Sequence, residues 1–125
     1  MMERTLGLAK YAFASIFIAA GIMHFVRTDF FLKIMPPYLP WHLEIVYVTG
    51  VMEIILGICL LVPRLQRLAA WSLVAFLIAV FPANIHVFMN QQIIQAPPAA
   101  HICRLLLQGV LVAWAWAYTR APREK

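Results

Sequence analysis

Apolar residues fall into four long blocks, at about 6–26, 43–62, 68–89 and 101–119, separated by short polar stretches that carry most of the prolines. Each block is long enough for an α-helix to cross the roughly 30 Å hydrocarbon core of a bilayer. The connections differ in character. Residues 63–67 make a tight basic turn, whereas 90–100 form a polar, proline-bearing link. The first connection, 27–42, has structure of its own. Thr28-Asp29 is placed to cap a short helix. Phe30, Phe31, Ile34 and Met35 then fall on one side with Lys33 off it, as in a segment lying along the membrane interface. Pro36-Pro37 ends that segment, and Tyr38, Pro40 and Trp41 follow at headgroup level. The pattern predicts an all-α fold, an integral membrane four-helix bundle forming a single domain over residues 1–125.

Composition removes the soluble alternative. The chain is 64% hydrophobic and 12% charged, with mean hydropathy +0.84, more apolar surface than 125 residues can hide in a soluble core. The net charge of +5 does not indicate nucleic acid, because the basic residues sit at helix ends and in links with no basic patch interleaved with aromatics. Four spans put both termini on one side. Arg4, Lys10, Arg64, Arg67, Arg120, Arg123 and Lys125 lie there, against Arg27, Lys33 and Arg104 opposite, which predicts cytoplasmic termini. The first block exceeds a signal-peptide core and precedes no hydrophilic domain, so it reads as a span. Cys59 and Cys103 fall near opposite membrane faces, too far apart to pair, and read as small apolar packing residues.

Against this background a few polar residues need explanation. Glu53 lies inside the second block with Gly50 and Gly57 at offsets of three and four, on one helix face. That face admits a neighbouring helix closely. Ten residues in from the end of the block places the acid roughly 15 Å deep, where a charge is expensive unless it is neutralised or faces protein or water. His24 lies near the outer end of the first span. Asn84, His86 and Gln108 fall in the outer parts of the third and fourth. The inner half of the bundle is expected to be nearly dry. Pro82 breaks the bond to the Ile78 carbonyl and needs a neighbour, a polar side chain or water to compensate. Asn84 and His86 are two apart and point to different faces.

Three readings of these residues stand open: an interhelical network joining His24, Glu53 and Asn84, a site for a small or amphipathic ligand in which a midplane acid exchanges a proton, or metal and catalytic use. No HExxH or paired-histidine spacing supports a metal. Ser15 and Ser72 stand outside any nucleophile-elbow sequence. His42 and His101, at span ends, read as interfacial.

The motifs resemble a known family. Gly21-x-x-His24-Phe25, Pro36-Pro37-Tyr38-Leu39-Pro40, Gly50-Val51-x-Glu53-Ile54-x-x-Gly57 and Phe81-Pro82-Ala83-Asn84 are similar to the DoxX-like family of small bacterial membrane proteins, over nearly the whole chain. The resemblance implies a four-helix protein of the bacterial inner membrane. The family name derives from a subunit associated with a thiosulfate:quinone oxidoreductase, and relatives include a protein of methylamine-dehydrogenase maturation. Most members have no assigned reaction. Gly21, His24, Phe25, Pro37, Pro40, Gly50, Glu53, Gly57, Pro82 and Asn84 match the family pattern, while His86 stands where tyrosine is frequent. No CxxC supports a thiol relay.

The combined expectation is an accessory or small lipophilic-ligand-binding membrane protein. Glu53 is the central acceptor or proton carrier, His24 its partner nearer the surface, and Asn84 the orienting group. Phe25, Tyr38 and Trp41 are candidates to line an entrance. The alternative is a membrane subunit of a quinone-linked oxidoreductase. Expected partners are the lipid bilayer, a quinone or other lipophilic small molecule, and other membrane subunits or a second copy. No motif assigns a reaction or a cofactor.

Overall fold

The structure, a computed structural model, describes residues 2–120, with side chains from residue 7 onward. Arg123 and Lys125 of the basic tail, and the side chain of Arg4, lie outside the described residues. Among those described there are four helices long and apolar enough to cross a membrane: α1 (Met2–Val26), α3 (His42–Leu60), α4 (Gln66–Met89) and α5 (Pro98–Arg120). A short helix α2 (Thr28–Lys33) and a 3-10 turn (Gln91–Ile93) lie in the connections. The all-α membrane-bundle fold is therefore the one the hydropathy pattern predicts.

Helix ends follow local chemistry. α3 stops at Leu60, two residues before the apolar block ends, because Pro63 disfavours helical geometry in the residue before it. The amides of Leu61 and Val62 turn back to the Ile58 and Cys59 carbonyls at 3.0 and 3.1 Å. α5 starts three residues earlier than hydropathy suggests, since Pro98 in a first turn costs no intrahelical hydrogen bond. Thr28 does not cap α2. Its hydroxyl donates backwards to the His24 carbonyl at 2.8 Å, closing the end of α1. Trp41, the residue before α3, has φ of 52°, the only positive φ among the described non-glycine residues. This left-handed residue redirects the chain from the connection into α3.

α1 packs antiparallel on α3, and α4 on α5, with α3 joining the two pairs. The α1–α3 seam rests on absent side chains. A Cβ on Gly21 would meet the Gly50 carbonyl oxygen and Ile54 Cγ1 at 2.6 Å, and one on Gly57 would meet Ile18 Cγ1 at 2.9 Å. The main apolar core lies toward the end where α1 begins and α5 ends. It gathers Phe13, Ala14, Phe17, Leu60, Ala69, Ala70, Leu73, Phe76, Leu77, Ala115 and Tyr118. Phe13 stacks on Phe17 (centroids 4.8 Å apart) and meets the Trp114 ring edge-on at 4.9 Å. Trp114 Nε1 donates to Tyr118 Oη at 3.0 Å.

This end is less dry than expected. Lys10, placed above only by its side of the membrane, is buried, and its Nζ donates to Gln66 Oε1 at 3.2 Å. α1 continues past Lys10 toward the N-terminus, so α4 covers that turn. His101 also differs from an interfacial residue. It is buried, and its Nε2 donates to the Ile94 carbonyl at 3.1 Å, tying α5 to the preceding link. Cys59 is half-buried, Cys103 exposed, and both are free.

Candidate functional site

His24 and Glu53 are brought together by helix direction. The Cα–Cβ bond tilts toward the N-terminus of a helix. In antiparallel α1 and α3, His24 therefore leans deeper into the bundle while Glu53 leans back toward it. Gly50 lets this happen, since a Cβ there would meet His24 Cβ at 2.7 Å. The result is a buried pair with His24 Nδ1 3.6 Å from Glu53 Oε2. The pair is not a closed hydrogen bond. Nδ1 donates within its own helix to the Ala20 carbonyl at 2.8 Å. Glu53 Oε2 is buried with no hydrogen-bond partner among the described residues. A buried carboxylate oxygen left unmatched is costly, and it marks the point in the bundle that still has bonding capacity.

An aromatic not singled out above covers the histidine of this pair. Phe31 of α2 stacks on the His24 imidazole with centroids 3.9 Å apart and planes 20° from parallel. Phe30 meets Phe31 edge-on at 5.4 Å. The sequence signal for Phe31 was its place on the apolar side of α2. What it lacked was the fold-back of α2 onto α1.

The other named residues lie elsewhere. Phe25 stacks on Tyr47, with centroids 5.3 Å apart, on the exposed side of the α1–α3 seam. Tyr38 and Trp41 are 69% and 74% exposed. Trp41 borders an open hollow of about 420 Å³ with Glu44, Ile45, Val48 and Thr49, which includes neither His24 nor Glu53.

Asn84 belongs to a second polar group on α4 and α5. Its Nδ2 donates to Gln108 Oε1 at 2.9 Å, and its Oδ1 accepts from Arg104 Nη2 at 3.2 Å. Gln108 Nε2 donates to the Leu77 carbonyl at 2.7 Å, next to the Ile78 carbonyl that Pro82 leaves without its helical donor. No hydrogen bond among the described residues joins Asn84 to His24 or Glu53. The structure thus brings two of the three candidates together and gives the third to α5. His86 accepts from the Asn90 side chain at 3.4 Å and stands apart from both groups. No set of three or more His, Cys, Asp or Glu side chains among the described residues could hold a metal ion.

Fold and site together define a small multi-span membrane protein of four helices, with one buried His–Glu pair and one acid-free polar seam. The chain belongs to the family described as a domain of unknown function, DUF8561, whose model matches residues 13–119. No curated protein and no solved structure matches it. The matched range takes in His24, Glu53, Asn84, Arg104 and Gln108.

Proposed function

We propose that this protein binds a small lipophilic ligand in the membrane, with Glu53 taking the ligand's polar head. The observation that carries the reading is the unpartnered Oε2 of Glu53, buried beside His24 and roofed by Phe31. A purely structural network would spend that oxygen on a neighbouring helix, as Asn84 and Gln108 spend theirs. A ligand hydroxyl or amine would satisfy it. α2, only six residues long and with no buried residue, is the element that can move to admit the ligand. The motif resemblance to DoxX-like proteins supports a location in the bacterial inner membrane, and the excess of basic residues on the terminus side supports cytoplasmic termini. In that orientation the α2 end faces outward. The same resemblance makes a quinone one chemical candidate for the ligand.

The test is native mass spectrometry of the protein gently extracted from membranes. The wild type should carry a lipophilic adduct that Glu53→Gln and His24→Ala lose while keeping the wild-type melting temperature within a few degrees. Glu53→Gln keeps the size of the side chain but replaces one acceptor oxygen with an NH2 donor, which cannot accept from the ligand's hydroxyl or amine. If both variants retain the adduct at wild-type occupancy, the pair serves only to join α1 to α3.

A further inference from the structure

The second polar group has a property independent of the His24–Glu53 site. All acidic residues of the chain lie at or before Glu53 except Glu124, so α4, α5 and the link between them contain none. Arg104 is nevertheless half-buried on α5, six residues from its start, which is roughly 9 Å along the helix. Among the described residues it has no ion pair. Arg27, by contrast, sits on the surface 3.8 Å from Asp29.

A guanidinium carries five N–H donors in a fixed fork. Among the described residues one hydrogen bond to Arg104 is made, from Nη2 to Asn84 Oδ1. That bond is the end of a directed chain. The Leu77 carbonyl accepts from Gln108, Gln108 accepts from Asn84, and Asn84 accepts from Arg104. Each amide is thereby fixed in orientation, and so is one edge of the guanidinium. One turn nearer the start of α5, on the same face, His101 Nδ1 is buried and has no hydrogen-bond partner among the described residues. A fixed cation without a counter-ion, in a membrane span, is an incomplete arrangement, and arginine's planar fork suits an oxyanion presenting two oxygens.

We propose that Arg104, held by the Asn84–Gln108 chain, binds an anionic oxygen pair, a phosphate or carboxylate group, at the α4–α5 seam. Two sources share this chemistry: the head group of an anionic lipid in the leaflet at the α2 end, and a free anion entering from that surface. Arg104 supplies the charge and the fork. Asn84 is a positioning residue, and Gln108 anchors it to the Leu77 carbonyl of α4.

The full-length protein in a neutral detergent tests this with two probes, phosphatidylglycerol against phosphatidylcholine by native mass spectrometry, and inorganic phosphate by thermal shift. Wild type should retain phosphatidylglycerol in preference to phosphatidylcholine, and Arg104→Gln should lose that preference by roughly tenfold, the size expected for one charge-assisted hydrogen bond. Asn84→Ala, which leaves the charge in place, should reduce it by a smaller factor. A phosphate-induced rise in melting temperature that Arg104→Gln abolishes, without lipid preference, supports the site and identifies a free anion as its occupant. Equal behaviour of wild type and Arg104→Gln toward both probes overturns the proposal. If Arg104→Gln does not fold, Arg104→Lys and Asn84→Ala decide. A reduced response in either supports the fork, and wild-type responses in both overturn it. Loss of the Glu53 adduct leaves this result unaffected, because the two groups share no residue.

Discussion

Gly21→Ala tests the central seam directly. The added Cβ would lie 2.6 Å from the Gly50 carbonyl oxygen and 2.6 Å from Ile54 Cγ1. Comfortable heavy-atom contact begins near 3.5 Å, so α1 and α3 must part by ~1 Å. The oxygen belongs to helical backbone and cannot rotate away. Overpacking of this kind costs about 1–3 kcal/mol. Alanine also favours helix over glycine by up to ~1 kcal/mol in water, which would mask part of the cost. Gly109→Ala supplies the correction, since a Cβ at Gly109 meets nothing within 4 Å. The difference between the two variants then isolates the seam. Gly21→Ala should unfold about 1–3 kcal/mol more easily than Gly109→Ala in detergent thermal or denaturant titration. Because Gly21 and His24 lie one turn apart facing α3, the parting should also widen the 3.6 Å His24–Glu53 approach. Adduct occupancy by native mass spectrometry should fall in Gly21→Ala and not in Gly109→Ala. Equal stability of the two variants would refute the close-packed seam and, with it, the reason His24 and Glu53 meet.

Two further outcomes follow from single contacts. Phe31→Ala removes the ring stacked at 3.9 Å on His24. The rate of diethyl pyrocarbonate modification at His24, mapped by peptide mass, should rise severalfold, while Phe25→Ala, whose ring stacks on Tyr47 instead, should leave it unchanged. A rate unaltered by Phe31→Ala would show that α2 does not shield the pair. At Trp41, with φ of 52°, Gly and Ala variants both lose the exposed indole but only Gly removes the left-handed strain. Trp41→Gly should therefore be more stable than Trp41→Ala by about 1 kcal/mol in the same titration, and the reverse order would mean that the turn relaxes to another geometry.

The bundle was legible because a bilayer leaves few choices. Four apolar blocks of sufficient length, divided by prolines, give four helices almost without regard to which apolar residues fill them. Glycine spacing carried more specific information. Gly50 and Gly57 flanking Glu53 announced a close helix neighbour, and Gly21 three residues before His24 supplied the matching surface. Depth along each span was less informative, because it orders residues along the membrane normal and not around the bundle. Asn84 shares the α2 half of the bundle with His24 and Glu53, yet the rotation of α4 gives it to Gln108 and Arg104. That rotation depends on how α4 packs against two neighbours at once, a property of the assembled bundle that no single-helix pattern encodes. The burial of Lys10 and His101 was illegible for a related reason. Each lies in the first few turns of its apolar helix, where one residue more or less of helix decides between water and protein. Charge distribution, by contrast, was readable in the sequence and gained meaning only from the fold. The acid-free run from residue 54 to residue 123 becomes chemically consequential once α4 and α5 are seen to pack together around an arginine. The two polar groups then have opposite character. One presents a carboxylate oxygen without a hydrogen-bond partner among the described residues, between α1 and α3, and the other a guanidinium with no acidic partner among the described residues, between α4 and α5. Helices that needed only internal cohesion could have joined the acid to the arginine. Their separation onto different helix pairs is what the two proposed sites require.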